Sequence, residues 1–139
     1  MSKPIDNAVE AGPRMLLRLE AAAIFIALAF AYFAWSGNSW WLFGALFLVP
    51  DLSMLGYLVG ARIGAAVYNT AHTYVGPVLL GGAGFLLGNS LLPWFAVIWA
   101  SHIAFDRMLG YGLKYSSGFK FTHLGTIGTA ESPPGSPAA

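Results

Sequence analysis

The segment MLLRLEAAAIFIALAFAYFAW, residues Met15–Trp35, decides the class of fold, because no charged residue follows Glu20 within it. A helix rises 1.5 Å per residue and needs about 20 mostly apolar residues to cross a hydrocarbon layer of roughly 30 Å. Three further segments reach this length, namely Trp41–Val59, Ile63–Leu87 and Leu91–Gly112. The loops between the segments are short, so successive helices must be antiparallel neighbours. The sequence therefore predicts an all-α, polytopic membrane protein with a bundle of four transmembrane helices.

The overall composition is that of a membrane protein. Of the 139 residues, 57% are hydrophobic and only 9% are charged, whereas an average soluble domain has roughly 25% charged residues. The net charge of +1 argues against nucleic acid as a partner. No cysteine is present, so disulfides and thiolate ligands are excluded. We expect membrane lipids as partners, together with a larger membrane complex or a second copy of the chain.

The basic residues predict the orientation of the bundle. All seven lie at the N-terminus, between the second and third segments, or from the end of the fourth segment onward; they are Lys3, Arg14, Arg18, Arg62, Arg107, Lys114 and Lys120. Positively charged loops stay in the cytoplasm, so both termini are predicted to be cytoplasmic. The predicted organisation is a flexible segment 1–14, a transmembrane domain 15–112, a cytoplasmic interfacial segment 113–128 and a disordered tail 129–139.

Four titratable side chains lie deep within these apolar segments. Counted from the inner interface, the helical rise puts all of them about 12 to 18 Å deep; they are Asp51, His72, His102 and Asp106. His102 and Asp106 are four residues apart and therefore share one helix face. Ionisable groups at this depth normally face the interior of a bundle, paired with one another or with an ion. We therefore expect the four side chains to meet.

Imidazole and carboxylate groups together are typical ligands of zinc, iron and manganese. A catalytic centre needs three such ligands and an open position for water, which the cation makes acidic enough to attack an ester or phosphoester. We therefore predict a divalent cation, zinc or manganese, bound by all four residues. Asp51 and Asp106 are the candidate catalytic residues, either as ligands or as the general base.

Five further polar residues are candidates for supporting roles, namely Asn69, Thr73, Arg107, Lys114 and His123. Asn69 and Thr73 continue the polar face of the third segment. Arg107 and Lys114 lie where they can contact anionic lipid headgroups. We expect His123 at the membrane interface, with a position folded back toward the bundle as the alternative.

Two prolines fall within the predicted helices at the depth of the four titratable residues. Pro50 precedes Asp51 in the second segment, and Pro77 lies in the third. A proline inside a helix removes a hydrogen bond and frees a carbonyl group. In a membrane such groups are tolerated only where protein or water satisfies them. Broken helices near buried acids often line cavities, whereas each proline taken alone more often marks a simple kink.

Two other interpretations of the polar residues stay open. In the first, they only fix helix packing, with Asp106 paired to Arg107 or Lys114, and the chain is a non-catalytic accessory subunit of a larger membrane complex. In the second, His72 and His102 hold a haem from facing helices.

At these residues the sequence also resembles a known family. The stretches LRLEAAAIF, WWLFGALFLVPDLSMLGYLVGARIGAAVYNTAHTY and HIAFDRMLGYGLKYSSGFKFTHLG are similar to the bacterial family of small membrane proteins described as domain of unknown function 4260. The resemblance covers about Met15 to Gly128. It implies a multi-pass protein of the bacterial inner (cytoplasmic) membrane but no established activity.

A looser likeness concerns chemistry. PDLS at Pro50–Ser53, AHT at Ala71–Thr73 and HIAFD at His102–Asp106 resemble, in order, three motifs of inner-membrane metal-dependent hydrolases, Pro-Asp-Leu-Asp, Thr-His-Ser and His-x-x-x-Asp. This likeness implies metal-ligand roles for Asp51, His72, His102 and Asp106. Ser53 replaces the second acid of the first motif, and Asn69 stands where that group has a nearby histidine or arginine. The likeness thus implies a site with fewer ligands.

Overall fold

The computed structural model describes residues 11–114 and 121–126, and these are almost entirely helical. Their elements are α1 (Ala11–Trp35), α2 (Trp40–Phe47), a 3-10 helix (Val49–Leu58), α3 (Ala61–Ala71), α4 (Val75–Leu86), α5 (Leu92–Leu109) and the two short strands β1 (Phe121–Thr122) and β2 (Gly125–Thr126). The strands pair antiparallel. The all-α prediction is confirmed. The predicted tail and residues 1–10 of the predicted N-terminal segment lie outside the described residues.

The predicted second and third segments are not uniform α-helices. The second remains helical but changes to 3-10 geometry after Leu48, with Pro50 in the first turn. The third is broken at residues 72–74, and Pro77 lies in the first turn of α4. A first turn does not need the N–H group that proline lacks, so each proline begins a helix instead of kinking one. The third segment is therefore broken at this point and not simply kinked.

Two helical segments are long and apolar enough to cross a membrane. They are Gly12–Trp35, with 24 residues, and Trp40–Leu58, with 19 residues. In the most apolar part of each, only 11% of the residues are buried, so neither resembles the core helix of a soluble protein. Large side chains such as Phe30 and Phe85 are exposed as well. Apolar surface on this scale requires lipid or another protein to cover it.

Helix α5 lies at the centre of the bundle, where it contacts α1, α2 and α4. Its buried residues fall between Ala96 and Ala104. Helix α1 packs antiparallel to α5, since the ring of Phe25 lies 5.3 Å from that of Phe105 and the ring of Tyr32 lies 6.2 Å from that of Trp94. The central position of α5 explains why the polar residues on it are enclosed by protein.

Two close antiparallel hairpins complete the bundle, and glycine makes both possible. A Cβ atom at Gly84 in α4 would lie 2.7 Å from Cβ of Leu92 and 2.8 Å from Cδ of Pro93. In the other hairpin, Gly64 of α3 packs directly against Tyr57 of the 3-10 helix. This hairpin of the 3-10 helix and α3 places the beginning of the 3-10 helix beside the end of α3. The candidate site lies at that end.

Candidate metal centre

Four predicted ligands come together although they lie on three separate elements. Asp51 is in the first turn of the 3-10 helix, His72 caps the C-terminus of α3, and His102 and Asp106 are one turn apart on α5. His72 and His102 are 3% and 1% exposed. The side chain of Asp106 is 15% exposed and that of Asp51 is 42% exposed. One ligand atom from each residue lies within 4.8 Å of the other three.

The distances within this group fit a single small cation. Nε2 of His72 lies 3.1 Å from Nε2 of His102, 3.3 Å from Oδ2 of Asp106 and 3.7 Å from Oδ1 of Asp51. Nε2 of His102 lies 3.4 Å from the same oxygen of each aspartate. Ligands at about 2.0 to 2.2 Å from a tetrahedral cation are about 3.3 to 3.6 Å from one another. These four atoms, which we call the Asp2His2 cluster, therefore surround a position suited to a divalent metal ion.

The hydrogen bond of His72 orients it as a metal ligand. Its Nδ1 lies 2.9 Å from the carbonyl oxygen of Tyr68. A carbonyl oxygen only accepts, so Nδ1 carries a proton, and Nε2 faces the other members of the cluster. Nδ1 of His102 is buried and makes no hydrogen bond of good geometry among residues 11–114 and 121–126. A divalent cation can bond to all four converging atoms once both Nε2 atoms are unprotonated.

The comparison with protein families identifies the chain. The family model described as "Domain of unknown function (DUF4260)" matches residues 14–127, which include the whole Asp2His2 cluster. The chain belongs to this family. The resemblance to the family is thereby confirmed. No curated protein and no solved structure matches the chain, so the likeness to metal-dependent hydrolases stays a prediction.

In this DUF4260 protein, side chains around the cluster donate hydrogen bonds to the backbone carbonyl groups at the broken end of α3. Nε1 of Trp99 donates to the carbonyl oxygen of Ala71 at 2.7 Å. Nη2 of Arg107 lies 3.4 Å from the carbonyl oxygen of His72, and His72 itself donates to Tyr68. The last carbonyls of a helix have no partner within the helix, and in an apolar environment they must find one elsewhere. The contacts that satisfy the break also fix the position of His72.

Tyr68 belongs to the site but was not singled out from the sequence. Its ring stacks on the imidazole of His72, with centroids 3.8 Å apart and an interplanar angle of 10°. Its hydroxyl group donates to Oδ2 of Asp106 at 3.4 Å. The signal in the sequence was the spacing, because Tyr68 precedes His72 by four residues and so lies on the same face of α3.

Asn69 and Lys114 join the segment after α5 to α3. Nδ2 of Asn69 donates to the carbonyl oxygen of Lys114, and the N–H of Lys114 donates to Oδ1 of Asn69, both at 2.7 Å. Nζ of Lys114 lies 4.6 Å from the ring centre of Tyr68, so the lysine is buried against the site. Burial lowers the pKa of Lys114 to about 8, although the negative charge of Asp106 opposes the shift.

The other three candidates for supporting roles do not share the contacts of Asn69 and Lys114; they are Arg107, Thr73 and His123. Arg107 contacts the carbonyl of His72 and the ring of Tyr74, which lies 4.7 Å from its guanidinium carbon. Thr73 lies in the break and, within the described part of the chain, makes no hydrogen bond to the cluster. Nδ1 of His123 accepts the N–H of Leu113 at 2.9 Å. Burial, assisted by the charge of Arg107, lowers the pKa of His123. His123 is thus folded back toward the bundle.

The geometry of the cluster argues against the haem interpretation. Two axial nitrogens on one iron lie about 4 Å apart, which is twice a metal–nitrogen bond of about 2 Å, with the macrocycle between them. The two Nε2 atoms of His72 and His102 are 3.1 Å apart. Carboxylate oxygens of Asp51 and Asp106 occupy positions 3.3 to 3.7 Å from these nitrogens, and they leave no room for a flat ring.

Proposed function

We propose that the Asp2His2 cluster binds one divalent cation, zinc or manganese, and that the protein is a metal-dependent hydrolase of a lipid-borne ester or phosphoester. The observation that carries the proposal is a convergence from three separate helices, in which each imidazole nitrogen lies 3.1 to 3.7 Å from the other nitrogen and from one oxygen of each carboxylate. Packing alone does not require four acceptor atoms to meet at one point, and burying them without a cation costs free energy.

The exposure of the four side chains suggests a division of roles. His72, His102 and Asp106 are enclosed and serve as the permanent ligands. This set of two imidazoles and one carboxylate is a common one in zinc hydrolases. Asp51, the most exposed of the four, lies at the open side, where it completes the tetrahedron or acts as general base on a water molecule. A bound divalent cation supplies Lewis acidity and lowers the pKa of such a water toward about 7.

We also propose that the protein is an integral protein of the bacterial inner membrane, with four crossings and both termini in the cytoplasm. Helix α1, α2 with the 3-10 helix, α3 with α4, and α5 supply the crossings. The exposed apolar side chains and the position of the seven basic residues support this arrangement. The third crossing is a discontinuous helix, and membrane proteins use such breaks to form binding sites. Membrane lipids surround the chain in this proposal.

A second candidate function is a non-catalytic subunit that carries a structural metal. One observation favours it, because a tetrahedral site with four protein ligands is typically closed to substrate. In this case the exposed apolar faces of α1 and α2 pack against a larger membrane complex or a second copy of the chain.

The two candidates are separated by measuring activity and metal content on the same protein. We expect chelator-treated protein to recover hydrolysis of lipid esters or phosphoesters when zinc or manganese is added. Asp51→Asn should retain at least half of the metal and lose about 100-fold in kcat, whereas His102→Ala should lose both. Thr73→Ala, beside the cluster but not bonded to it, is the matched control. Full metal content without turnover favours the structural subunit, and protein that cannot be loaded with metal contradicts both.

A further inference from the structure

An apolar groove lies next to the metal centre. Its volume is about 450 Å³, and its walls are almost wholly apolar. It is lined by residues of the 3-10 helix, α3 and α5, namely Ser53, Ala66, Val67, Thr70, Ala71 and Trp99. The groove is shallow and largely open on one side. We call it the Trp99 groove.

Three lining residues of the groove adjoin three residues of the Asp2His2 cluster along the chain. Ser53 follows Asp51 by two residues, Ala71 directly precedes His72, and Trp99 precedes His102 by three. A helical turn advances only about 5 Å. The backbone of each of these lining residues is therefore within about one helical turn of a cluster residue.

The Trp99 groove is formed before any ligand binds. The indole of Trp99 is held by its hydrogen bond to the carbonyl of Ala71 and packs directly against Gly76. The same indole also lines a second, smaller apolar pocket of about 160 Å³ together with Pro50 and Phe95. A fixed aromatic wall loses little conformational entropy on binding, which favours an extended apolar ligand.

We propose that the Trp99 groove holds the acyl chain of the substrate, so that the bond presented to the metal is the carboxylic ester at the head of that chain. The inference rests on the proposed hydrolase function and narrows it. An acyl chain in the groove places its own carbonyl carbon beside Asp51 and the cation. A phosphoester in the headgroup of the same lipid lies several bonds farther from the groove than this carbonyl carbon.

The reaction is then hydrolysis of an acyl ester. The oxygen of water forms a bond to the acyl carbon, and the bond between that carbon and the ester oxygen breaks. The proton that the water gives up, by way of Asp51 as general base, goes to the leaving alkoxide. The products are a fatty acid and an alcohol, and no oxidant or reductant is required.

Variants that fill the groove test the inference without touching the cluster. Ala66 and Thr70 are exposed on α3, so the double variant Ala66→Phe and Thr70→Leu narrows the groove without overpacking the core. Ala23→Phe, equally exposed on α1, adds the same bulk elsewhere. With zinc-loaded protein in detergent micelles, we expect the double variant to lose at least 10-fold in hydrolysis of p-nitrophenyl palmitate and less than 2-fold for p-nitrophenyl acetate. Ala23→Phe should leave both rates unchanged.

A binding assay separates failure of the acyl-chain assignment from failure of the proposed hydrolase function. A photoreactive palmitic acid should label Ser53, Val67 or Thr70 in the unaltered protein and in Asp51→Asn, and at least 5-fold less in the groove-filling variant. Labelling without any ester hydrolysis supports binding of an acyl chain in the groove and contradicts the proposed hydrolase function. Hydrolysis that does not depend on chain length, hydrolysis of bis(p-nitrophenyl) phosphate in preference to the palmitate ester, or label spread evenly over the apolar helices overturns the acyl-chain assignment.

Discussion

Replacement of Asn69 by alanine should release the segment after α5 from the bundle. Asn69 makes two hydrogen bonds of 2.7 Å to the backbone of Lys114. Each contributes about 1 kcal/mol net, and each buried backbone group that loses its partner costs about 1 to 3 kcal/mol, part of which entering water offsets. The docked state should lose about 2 to 4 kcal/mol. At 1.4 kcal/mol per tenfold change, the open population of the segment should rise about 30- to 700-fold.

Native-state hydrogen exchange measures this release at the residue concerned. The N–H of Lys114 donates to Asn69, so its exchange rate should rise by the full factor in Asn69→Ala. The amide of Ile103, buried in α5, should exchange as before. Thr70→Ala is the matched control, because its hydroxyl bonds only to the carbonyl of Ala66 within α3. An unchanged exchange rate at Lys114, or a uniform increase over the whole bundle, would refute the inference that Asn69 holds the segment after α5 against the bundle.

Three further predictions follow from packing, charge and metal binding. Gly84→Ala should lower the free energy of unfolding by about 1 to 3 kcal/mol, because the new Cβ atom meets Leu92 and Pro93. Gly82→Ala has open space around it and should raise the free energy of unfolding by up to about 1 kcal/mol. Thermal unfolding of both variants measures these changes. Since the folded-state pKa of His123 is lowered, its contribution to stability should be constant above about pH 6.5 and fall below it, and His123→Asn should flatten the dependence on pH in unfolding scans from pH 7.5 to 5. Removing the cation with a chelator should lower Tm, as expected when a ligand worth about 2.7 kcal/mol at 100 times its Kd is lost, and His72→Ala should abolish this response.

The helices and the meeting of the four cluster residues were largely predictable because both depend on local spacing. The end of α1 at Trp35 follows from the apolar run, and the shared face of His102 and Asp106 follows from their separation of four residues. The depth of Asp51 and His72 along their segments was enough to predict that they could meet the other two. None of these inferences needed contacts between distant parts of the chain beyond antiparallel packing.

The surroundings of the cluster could not be predicted because they depend on non-local contacts. Pro77 in an apolar segment is compatible with a kink or with a new helix, and the choice is made by Trp99 and Arg107, which satisfy the carbonyls at the break. The burial of Lys114 depends on Asn69, 45 residues earlier in the chain. A lysine after the last apolar run is normally placed at headgroups, and nothing local to it indicates that an asparagine holds its backbone.

The central claim is that the cluster of Asp51, His72, His102 and Asp106 binds one cation, and X-ray absorption on the purified full-length protein, together with elemental analysis, tests it most directly. The account predicts close to one equivalent of zinc or manganese, with nitrogen and oxygen ligands at about 2.0 to 2.2 Å and scattering from two imidazole rings. His72→Ala and His102→Ala should each reduce the metal content to less than a tenth of an equivalent. Protein that stays metal-free after growth and reconstitution with these ions, or metal retained in full by both variants, would contradict the claim.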